Sequence, residues 1–490
     1  MKKEYWWLVL IIIIATYLRV ANIESVPPGL YPDEAMNGNN ALEALATDDF
    51  KVFYPENNGR EGLFINIQAL FLSLFGNEPW VLRLPSAIFG ILTVLGIYFL
   101  TRELFKDKTL SLLAAFLLAT SFWHIDFSRI GFRAIMAPFF LVWGIYFLLL
   151  SLRKAREPSR PKSYILYSIF SGIFYGLGFY SYIAYRATPI IIIFILALYF
   201  FEAKKGAVLK YFYRNATLFL ISAFIVTIPL NIYFLENPQD FLGRTSQISV
   251  LSSETPTKDF LVNTLKTAGM FNFVGDWNWR HNIAGKPLLF WPIGITFLVG
   301  LVLSLRSLIK SDGLKTAAII LLAWLTVAAA PVVISNEGLP HALRAILMAP
   351  PVIIISSLGG WWLFSRLRGE ISPNKLKAAA LVMLTLITVE AYASYFMIWA
   401  KNPNTADAFS EDYVKLGVEL NALPKEIPKF VIVNADGVDV RGMPMPAQTV
   451  MFITDTFRNE ERANKNIRYL TPAELMETVF PENAFIRYLN

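Results

Sequence analysis

Two adjacent carboxylates, Asp33 and Glu34, stand in the segment Tyr31–Leu45, which reads YPDEAMNGNNALEAL. Pro32 precedes them, at the expected start of a short helix. A carboxylate fixed in position can act as a general base and accept a proton from an attacking hydroxyl. A purely structural role fits the same spacing, because acidic residues at a helix N-terminus are stabilised by the helix dipole. The spacing alone leaves both interpretations open.

Further polar side chains recur in short segments between apolar stretches. Arg60 and Glu61 lie in Tyr54–Phe64, YPENNGREGLF, which on its own is an ordinary polar turn. All three histidines of the chain occupy similar segments, together with five arginines that lie close to apolar runs. Besides Arg60 and Glu61, the candidate substrate-binding residues are His124, Arg129, Arg133, Tyr182, Arg186, Arg280, His281, His341 and Arg344.

The sequence gives weak support for a metal site and none for a nucleotide site. Asp276, His281 and His341 have the chemistry of metal ligands but no compact ligand spacing, whereas Asp33, Glu34 and Glu56 could hold a hard cation. We predict no metal and no cofactor; a divalent cation is compatible with these residues but not indicated. The chain has no cysteine, and we find no P-loop, dinucleotide fingerprint or nucleophile elbow in a supporting context. A nucleotide-sugar site is therefore not indicated.

The composition predicts an integral membrane protein. Hydrophobic residues make up 55% and charged residues 17% of the 490 residues, and the mean hydropathy is +0.47. A soluble domain does not hide so much apolar surface with so few charges. Apolar runs of roughly 20 residues match the thickness of a bilayer. About eleven spanning helices are predicted, at 5–22, 84–101, 109–123, 135–151, 163–183, 187–202, 215–235, 287–305, 315–334, 345–364 and 376–399.

The distribution of basic residues predicts how these spans are oriented in the membrane. The N-terminal stretch lacks the small-residue cleavage site of a signal peptide and is interpreted as a retained first helix with its N-terminus in the cytoplasm. The inner segments are then short and very basic, as the positive-inside rule expects, so the net charge of +7 does not indicate nucleic acid. The C-terminus is placed outside the cell membrane. The predicted outer segments are 23–83, 124–134, 184–186, 236–286, 335–344 and the tail from about 400.

This orientation puts the five arginines that lie close to apolar runs, Arg129, Arg133, Arg186, Arg280 and Arg344, on the outer face, where arginine is least expected. Arginine beside aromatic residues at a bilayer interface suits the phosphate of a lipid. Snorkelling or a loop salt bridge is the simpler explanation for any single one, but it is weaker for five together.

The predicted domains are a membrane domain, 1–399, and an extracytoplasmic α/β domain, 400–490. Gly62–Gly76 is apolar but too short to cross a bilayer, so we expect an interfacial or re-entrant helix within the first outer loop, 23–83. In the tail, Lys429–Asn434 and Gln448–Thr454 are predicted strands, and Thr471 begins a helix-cap pattern.

The order of motifs resembles that of the GT-C glycosyltransferases, in particular the protein O-mannosyltransferase and aminoarabinose transferase family. The resemblance covers roughly residues 1–200 and rests on YPDEA, GREGLF, RLPSAIFGILTVLGIYFLTRELF at Arg83–Phe105 and HIDFSRIGFRAIMAP at His124–Pro138. It implies a GT-C fold with a periplasm-facing cavity, metal-independent inversion, and Asp33 as the catalytic base with Glu34 beside it. Many relatives have Pro-Pro-Leu before the short helix, where this chain has Arg60-Glu61-Gly62-Leu63, so the donor sugar and the acceptor stay undefined.

The predicted function is inverting transfer of a sugar from a polyprenyl-phosphate donor to an acceptor hydroxyl of a protein, lipid or glycan on the extracytoplasmic face. Arg129, Arg133 and Arg344 are chosen to hold the donor phosphate. A transporter or flippase of lipid-linked sugars is the alternative; it would place charges near mid-membrane and often show repeated halves. We find no repeat, and no charge near mid-membrane apart from Glu390. A third hypothesis is an assembly protein whose tail binds a partner.

Overall fold

The computed structural model describes residues 3–157, 162–205, 208–241, 250, 253–310, 313–335 and 338–490. Lys2 and Arg160, which belong to the predicted inner segments, lie outside these residues. The described helices are α1 (Lys3–Val20), α2 (Pro32–Thr47), α3 (Leu63–Phe75), α4 (Pro79–Phe105), α5 (Lys108–Ala119), α6 (Phe122–Phe127), α7 (Met136–Lys154), α8 (Ser163–Leu177), α9 (Pro189–Lys205), α10 (Leu209–Glu236), α11 (Pro256–Gly269), α12 (Trp291–Ile309), α13 (Lys315–Val333), α14 (Ala349–Leu367), α15 (Pro373–Tyr392), α16 (Pro403–Ala408), α17 (Glu411–Ala422), α18 (Ala447–Thr454), α19 (Asn459–Lys465) and α20 (Pro472–Leu475).

The strands are short and lie between α2 and α3 and in the tail. They are β1 (Phe53–Tyr54), β2 (Arg60–Glu61), β3 (Lys429–Val433), β4 (Asp439–Val440), β5 (Met443–Pro444), β6 (Ile467–Leu470) and β7 (Phe485–Leu489). Strands β1 and β2 pair antiparallel, as do β4 and β5. A parallel sheet of order β6-β3-β7 forms the centre of the tail.

The chain is a multi-pass membrane protein. Within the described residues, eight helices are long and apolar enough to cross a bilayer: Pro79–Phe105, Arg133–Lys154, Ile183–Lys204, Leu209–Glu236, Trp291–Ile309, Lys315–Val333, Arg344–Leu367 and Pro373–Trp399. The predicted spans at 109–123 and 163–183 correspond to helices of 12 and 15 residues, α5 and α8, which are shorter than a full crossing. The polytopic helical architecture is thus confirmed, while the number eleven stays a prediction.

Contacts divide the chain into two compact units that interleave along the sequence. The first, here called the membrane unit, comprises Met1–Ala21, Ala87–Ser128 and Arg133–Tyr395. The second, here called the loop–tail unit, comprises Asn22–Ser86, Arg129–Phe132 and Phe396–Asn490. The segment Asn22–Ser86 and the tail therefore fold together, although more than 300 residues separate them in sequence.

Helices of the membrane unit approach closely through small residues, as is common where no hydrophobic effect drives association. A Cβ at Gly300 of α12 would collide with the carbonyl oxygen of Ile355 in α14. A Cβ at Gly359 of α14 would collide with the carbonyl oxygen of Thr296 in α12. Each glycine thus lets the neighbouring backbone lie against its own helix.

The loop–tail unit has a shared hydrophobic core. Met36 of α2 packs in a cluster with Val431 of β3 and Met451 of α18. Phe452, also from α18, belongs to a second cluster with Tyr54 and with Leu82 of α4, both within residues 23–83. The tail therefore supports α2 through buried apolar contacts.

The prediction of a strand at Gln448–Thr454 was wrong, because this segment forms α18. Its side chains supply both hydrophobic clusters and are buried at almost every position, and such a short apolar run has no diagnostic periodicity. The strand predicted at Lys429 is confirmed as β3, and Thr471 forms a capping box with Glu474 at the start of α20.

The adjacent glycines of α14 provide a matched test of the close helix contact. Gly359→Ala should destabilise the protein by about 1–3 kcal/mol, because its methyl group has no room against Thr296. Gly360→Ala should be neutral or stabilising by up to about 1 kcal/mol, since its Cβ would lie at ordinary contact, 3.5 Å from Thr296, and alanine favours helix. Thermal unfolding of both variants in detergent measures the difference. Equal midpoints would contradict the packing described here.

Candidate functional site

The acidic pair lies in the first turn of α2, as the sequence predicts. Tyr31 is the N-cap residue, Pro32 opens the helix, and no side chain caps its N-terminus. Proline suits this position because its missing N–H would have had no partner within the helix. Asp33 and Glu34 follow and benefit from the positive end of the helix dipole.

Glu34 is fully buried and bound on several sides. The Arg83 side chain donates from Nε to Oε2 at 3.0 Å and from Nη2 to Oε1 at 3.3 Å. The backbone N–H of Gly131 donates to the same Oε2 at 2.7 Å. Arg83 also donates to the carbonyl oxygens of Pro27 and Gly29, at 2.7 and 2.8 Å. This network ties the start of α2 to three other segments of the loop–tail unit.

Asp33 has a different environment although it is the next residue. Its side chain is half-buried, and it accepts a hydrogen bond from the Asn57 side chain. The two carboxylates therefore differ in what they can do. Glu34 is held inside by a buried cation, whereas Asp33 keeps an exposed surface that a substrate could reach.

Arg60 is buried beneath the acidic turn. Its guanidinium donates to the side-chain oxygens of Asn37 at 2.8 Å and Asn40 at 2.5 Å, both on α2. Asn37 in turn donates to the carbonyl of Gly131 at 3.1 Å. Asn37 and Asn40 share the helix face that carries Asp33, so Arg60 reinforces that face on the turns after the carboxylate. Its neighbour Glu61 is also buried, in β2.

The backbone of Gly131 makes two polar contacts with α2: its N–H donates to Glu34, and its carbonyl accepts from Asn37. A Cβ there would lie 3.1 Å from Oε2 of Glu34 and 3.2 Å from the carbonyl of Leu82. A side chain would press against the buried carboxylate, so the close approach of this backbone to Glu34 depends on glycine.

Two of the three carboxylates that the sequence offers as ligands for a hard cation, Glu34 and Glu56, form ion pairs with arginines. Arg83 binds Glu34, and Arg441 binds both Glu43 and Glu56, with its Nη2 2.7 Å from Oε1 of Glu56. Burial is the largest influence on the pKa of Glu56 and raises it, but the hydrogen bonds to Glu56 and the positive charges of Arg441 and Arg60 together outweigh burial, so the net pKa is lowered. Glu56 therefore acts as an anionic partner of the tail arginine.

Arg129 also belongs to the loop–tail unit and is fully buried. Its Nη2 donates to the carbonyl of Val26 at 2.8 Å, and its guanidinium lies 5.0 Å from the ring centre of Phe396. The second contact is a cation–π interaction.

In the membrane unit, His124 is fully buried on α6. Its Nδ1 lies 2.9 Å from Nη2 of Arg19, an arginine of α1 that also donates to the carbonyl of Ala119 at 3.0 Å. Burial lowers the pKa of His124 well below its usual value, and the positive charge of Arg19 lowers it further. The imidazole is therefore neutral and accepts a hydrogen bond from Arg19 at Nδ1.

His281 and His341 meet beside Asp276. Nδ1 of His281 lies 3.0 Å from Oδ2 of Asp276, and the two imidazole ring centres are 5.0 Å apart. Burial lowers the pKa of His281, partly offset by the Asp276 carboxylate. The fold brings together residues that are 65 positions apart in sequence, which explains why their spacing gave no metal motif.

The remaining candidates of the membrane unit have separate neighbourhoods. Arg133 is half-buried, with its guanidinium 5.9 Å from the ring centre of Tyr182. Arg344 is buried and donates to the Ser335 hydroxyl. Other contacts of these candidates are a hydrogen bond from Arg186 to the carbonyl of Phe241 at 2.6 Å and one from Arg280 to Asn278 at 3.2 Å.

Glu390 of α15 has a lysine and a hydroxyl as partners. Nζ of Lys286 lies 2.5 Å from its Oε1, and the Ser394 hydroxyl donates to the same oxygen at 2.7 Å. The charge predicted inside the last span is thus neutralised locally.

Several residues that shape the site were missed from sequence. Arg83 was noted as part of a motif but not as the partner of Glu34, and Asn37, Asn40 and Asn57 were not proposed. The spacing of Asn37 and Asn40 from Asp33 and Glu34, which places them on consecutive helical turns, was an available signal. No local signal identifies Arg83 or Gly131, because their contacts to Glu34 depend on the tertiary fold.

The comparisons with known proteins agree with this architecture. The family model of dolichyl-phosphate-mannose-protein mannosyltransferases matches residues 63–233. The structure is similar to that of ArnT from Cupriavidus metallidurans bound to undecaprenyl phosphate, with a TM-score of 0.59, 13% identity, and coverage of 98% of this chain and 89% of that one. No curated protein matches the sequence.

A second similarity is to the oligosaccharyltransferase of Archaeoglobus fulgidus. Its apo form gives a TM-score of 0.55 at 15% identity over 96% of this chain, and this chain covers 65% of its length. The archaeal enzyme AglB from the same organism, in complex with an inhibitory peptide and a dolichol-phosphate, gives a TM-score of 0.54 at 17% identity, with coverage of 95% of this chain and 64% of that one. The predicted GT-C fold is confirmed by these similarities.

Removing one partner of the buried pair should be costly. Arg83→Met leaves the Glu34 carboxylate buried without its cation and should destabilise the protein by about 3–5 kcal/mol. The control is Lys415→Met, which breaks an exposed pair with Glu411 and should change stability by less than about 1 kcal/mol. Thermal unfolding in detergent compares the two variants. Similar midpoints in both would show that the Arg83 pair does not hold the unit together.

Proposed function

We propose that this chain is an inverting glycosyltransferase that moves a sugar from a polyprenyl-phosphate carrier to an acceptor hydroxyl on the extracytoplasmic face. The observation that carries the proposal is that the two adjacent carboxylates have different environments. Glu34 is locked to Arg83, while Asp33, one residue away, is half-exposed. A general base needs both a fixed position and access to the proton that it removes.

The fold and the family match support a lipid-linked donor. Residues 63–233 match a family described as using dolichyl-phosphate-mannose, and the similar ArnT structure contains undecaprenyl phosphate. Dolichol and undecaprenol phosphates share the same chemistry, a phosphate on a long isoprenoid chain. A donor of this kind reaches the active site from the bilayer and needs no nucleotide-binding motif.

In the proposed reaction, Asp33 accepts the proton of the acceptor hydroxyl as that oxygen attacks the anomeric carbon. The bond from the anomeric carbon to the phosphate oxygen breaks, and the polyprenyl phosphate leaves with the bonding electrons. One displacement from the opposite face inverts the configuration. The products are the glycosylated acceptor, polyprenyl phosphate and a proton carried by Asp33.

Guanidinium groups stabilise the charge that develops on the leaving phosphate, as electrostatic catalysis requires. Arg129, Arg133 and Arg344 are the sequence candidates for this role, and Arg129 belongs to the same unit as Asp33. Arg133 is half-buried over Tyr182, so its charge is both oriented and accessible. Arg60 and Glu61 are buried in the loop–tail unit, where we propose that they shape the acceptor side by fixing α2.

The test uses purified protein in liposomes with radiolabelled undecaprenyl-phosphate mannose, glucose or arabinose and a membrane extract as the source of acceptor. Asp33→Asn should lower the transfer rate by about 10²–10⁴-fold, because the amide cannot accept the proton. Asp49→Asn, the same change on an exposed acid of the same loop, should leave the rate unchanged.

Binding of undecaprenyl phosphate, measured by native mass spectrometry, separates the proton-transfer role from loss of the fold. It should be the same in the native chain and in Asp33→Asn. Unchanged transfer in Asp33→Asn would remove this carboxylate from the mechanism. Movement of the labelled lipid across the bilayer without any covalent transfer would instead support a flippase.

A further inference from the structure

We propose that Asp276, His281 and His341 bind a zinc ion in the membrane unit. The proposal is independent of the sugar transfer, because it concerns a cluster to which the transfer mechanism assigns no step. One carboxylate oxygen and one nitrogen from each imidazole lie within 4.8 Å of one another. Asp276 and His281 are buried, and His341 is half-buried, which leaves an approach for the ion.

The distances are close to those of a tetrahedral site. Zinc bonds to histidine nitrogen and carboxylate oxygen are about 2.0–2.2 Å long, so two ligands of one ion lie roughly 3.3 Å apart. Oδ2 of Asp276 and Nδ1 of His281 are separated by 3.0 Å. A small rotation of the His341 ring, 5.0 Å from the His281 ring, would bring its nitrogen to the same centre.

Backbone hydrogen bonds hold the carboxylate ligand in place. Oδ1 of Asp276 accepts from the N–H of Asn278 at 2.8 Å, and Oδ2 accepts from the N–H of Ala342 at 2.8 Å. A carboxylate has about four acceptor positions, so these bonds leave room for a metal. Such outer contacts orient the ligands of metal sites and raise their affinity.

Internal hydrogen bonds connect the two ends of the loop that carries two of the ligands. Gly275 donates to the carbonyl of Gly285 at 3.1 Å, and Gly285 donates to the carbonyl of Asp276 at 2.9 Å. Asn282 bridges the loop by donating to the carbonyls of Asp276 and Lys286, at 3.2 and 2.5 Å. The cost of ordering the site is therefore met by the fold before an ion arrives.

The ligand types favour zinc over harder cations. Two imidazoles and one carboxylate form a mixed nitrogen and oxygen set, whereas calcium and magnesium prefer oxygen alone. Zinc binds such sites more tightly than manganese or iron(II). Three protein ligands leave a fourth position for water or an anionic oxygen.

A bound ion would join two separate chain segments. Asp276 and His281 precede α12, whereas His341 lies shortly before the 3-10 helix Arg344–Met348 that leads into α14. The hydrogen bond from the Ala342 N–H to the Asp276 side chain would be reinforced by three metal–ligand bonds, two from the first segment and one from His341. Zinc should therefore raise the thermal unfolding midpoint of the protein.

The experiment measures metal content of the full chain, purified in detergent with an affinity tag that contains no histidine. The protein is stripped with EDTA, exposed to zinc chloride, desalted and analysed by inductively coupled plasma mass spectrometry. We expect one zinc per chain and, with cobalt(II) in its place, the visible absorption of a tetrahedral site. The double variant His281→Gln/His341→Gln should bind zinc at least about tenfold more weakly. His124→Gln, at the remaining histidine, should retain the zinc.

The outcomes separate the proposal from its alternatives. Less than about one-tenth of a zinc per native chain, or equal binding by the double variant, would overturn it. Should the double variant fail to fold, the half-exposed His341→Gln variant decides in its place. If the native chain binds zinc and the His341→Gln variant binds it equally well, the three-ligand site is also overturned.

Discussion

The ion pair between Glu34 and Arg83 is the constraint on which the loop–tail unit depends. Both side chains are almost completely inaccessible to solvent, and a charge in such a place is tolerated only with a partner and further hydrogen bonds. Arg83 donates further hydrogen bonds to the carbonyls of Pro27 and Gly29, and Glu34 accepts one from the N–H of Gly131. The start of α2 is therefore fixed, and Asp33 lies next to Glu34, which these contacts hold in place.

The tail contributes to the same arrangement from the other side of α2. Met36 shares a core with Val431 and Met451, and a Cβ at Gly38 would collide with the ring of Phe452. The amide of Asn39 donates to the side-chain oxygen of Gln448 at 3.0 Å. We infer that the tail holds the acidic helix in place, so its effect on any chemistry at Asp33 would be indirect.

The sequence was sufficient where the physics is local or set by composition. Apolar length predicted a polytopic membrane protein, Pro32 and the acidic pair predicted the start of α2, and Thr471 predicted a helix cap. It failed where tertiary contacts decide. Gln448–Thr454 became a helix because two cores surround it, and neither the Arg83–Glu34 pair nor the Asp276, His281 and His341 cluster has a spacing that a local pattern would reveal.

The central claim is that the Glu34–Arg83 pair acts on sugar transfer by positioning Asp33. A double-mutant cycle on the single-turnover transfer rate tests it with the native chain, Glu34→Gln, Asp33→Asn and the double variant. Glu34→Gln should slow transfer by about 10–100-fold in the native chain, because a small misplacement of a catalytic group has a large effect on rate. In the Asp33→Asn background the same change should alter the rate by less than about twofold, since no base remains to be misplaced. An equal slowing in both backgrounds would contradict the account.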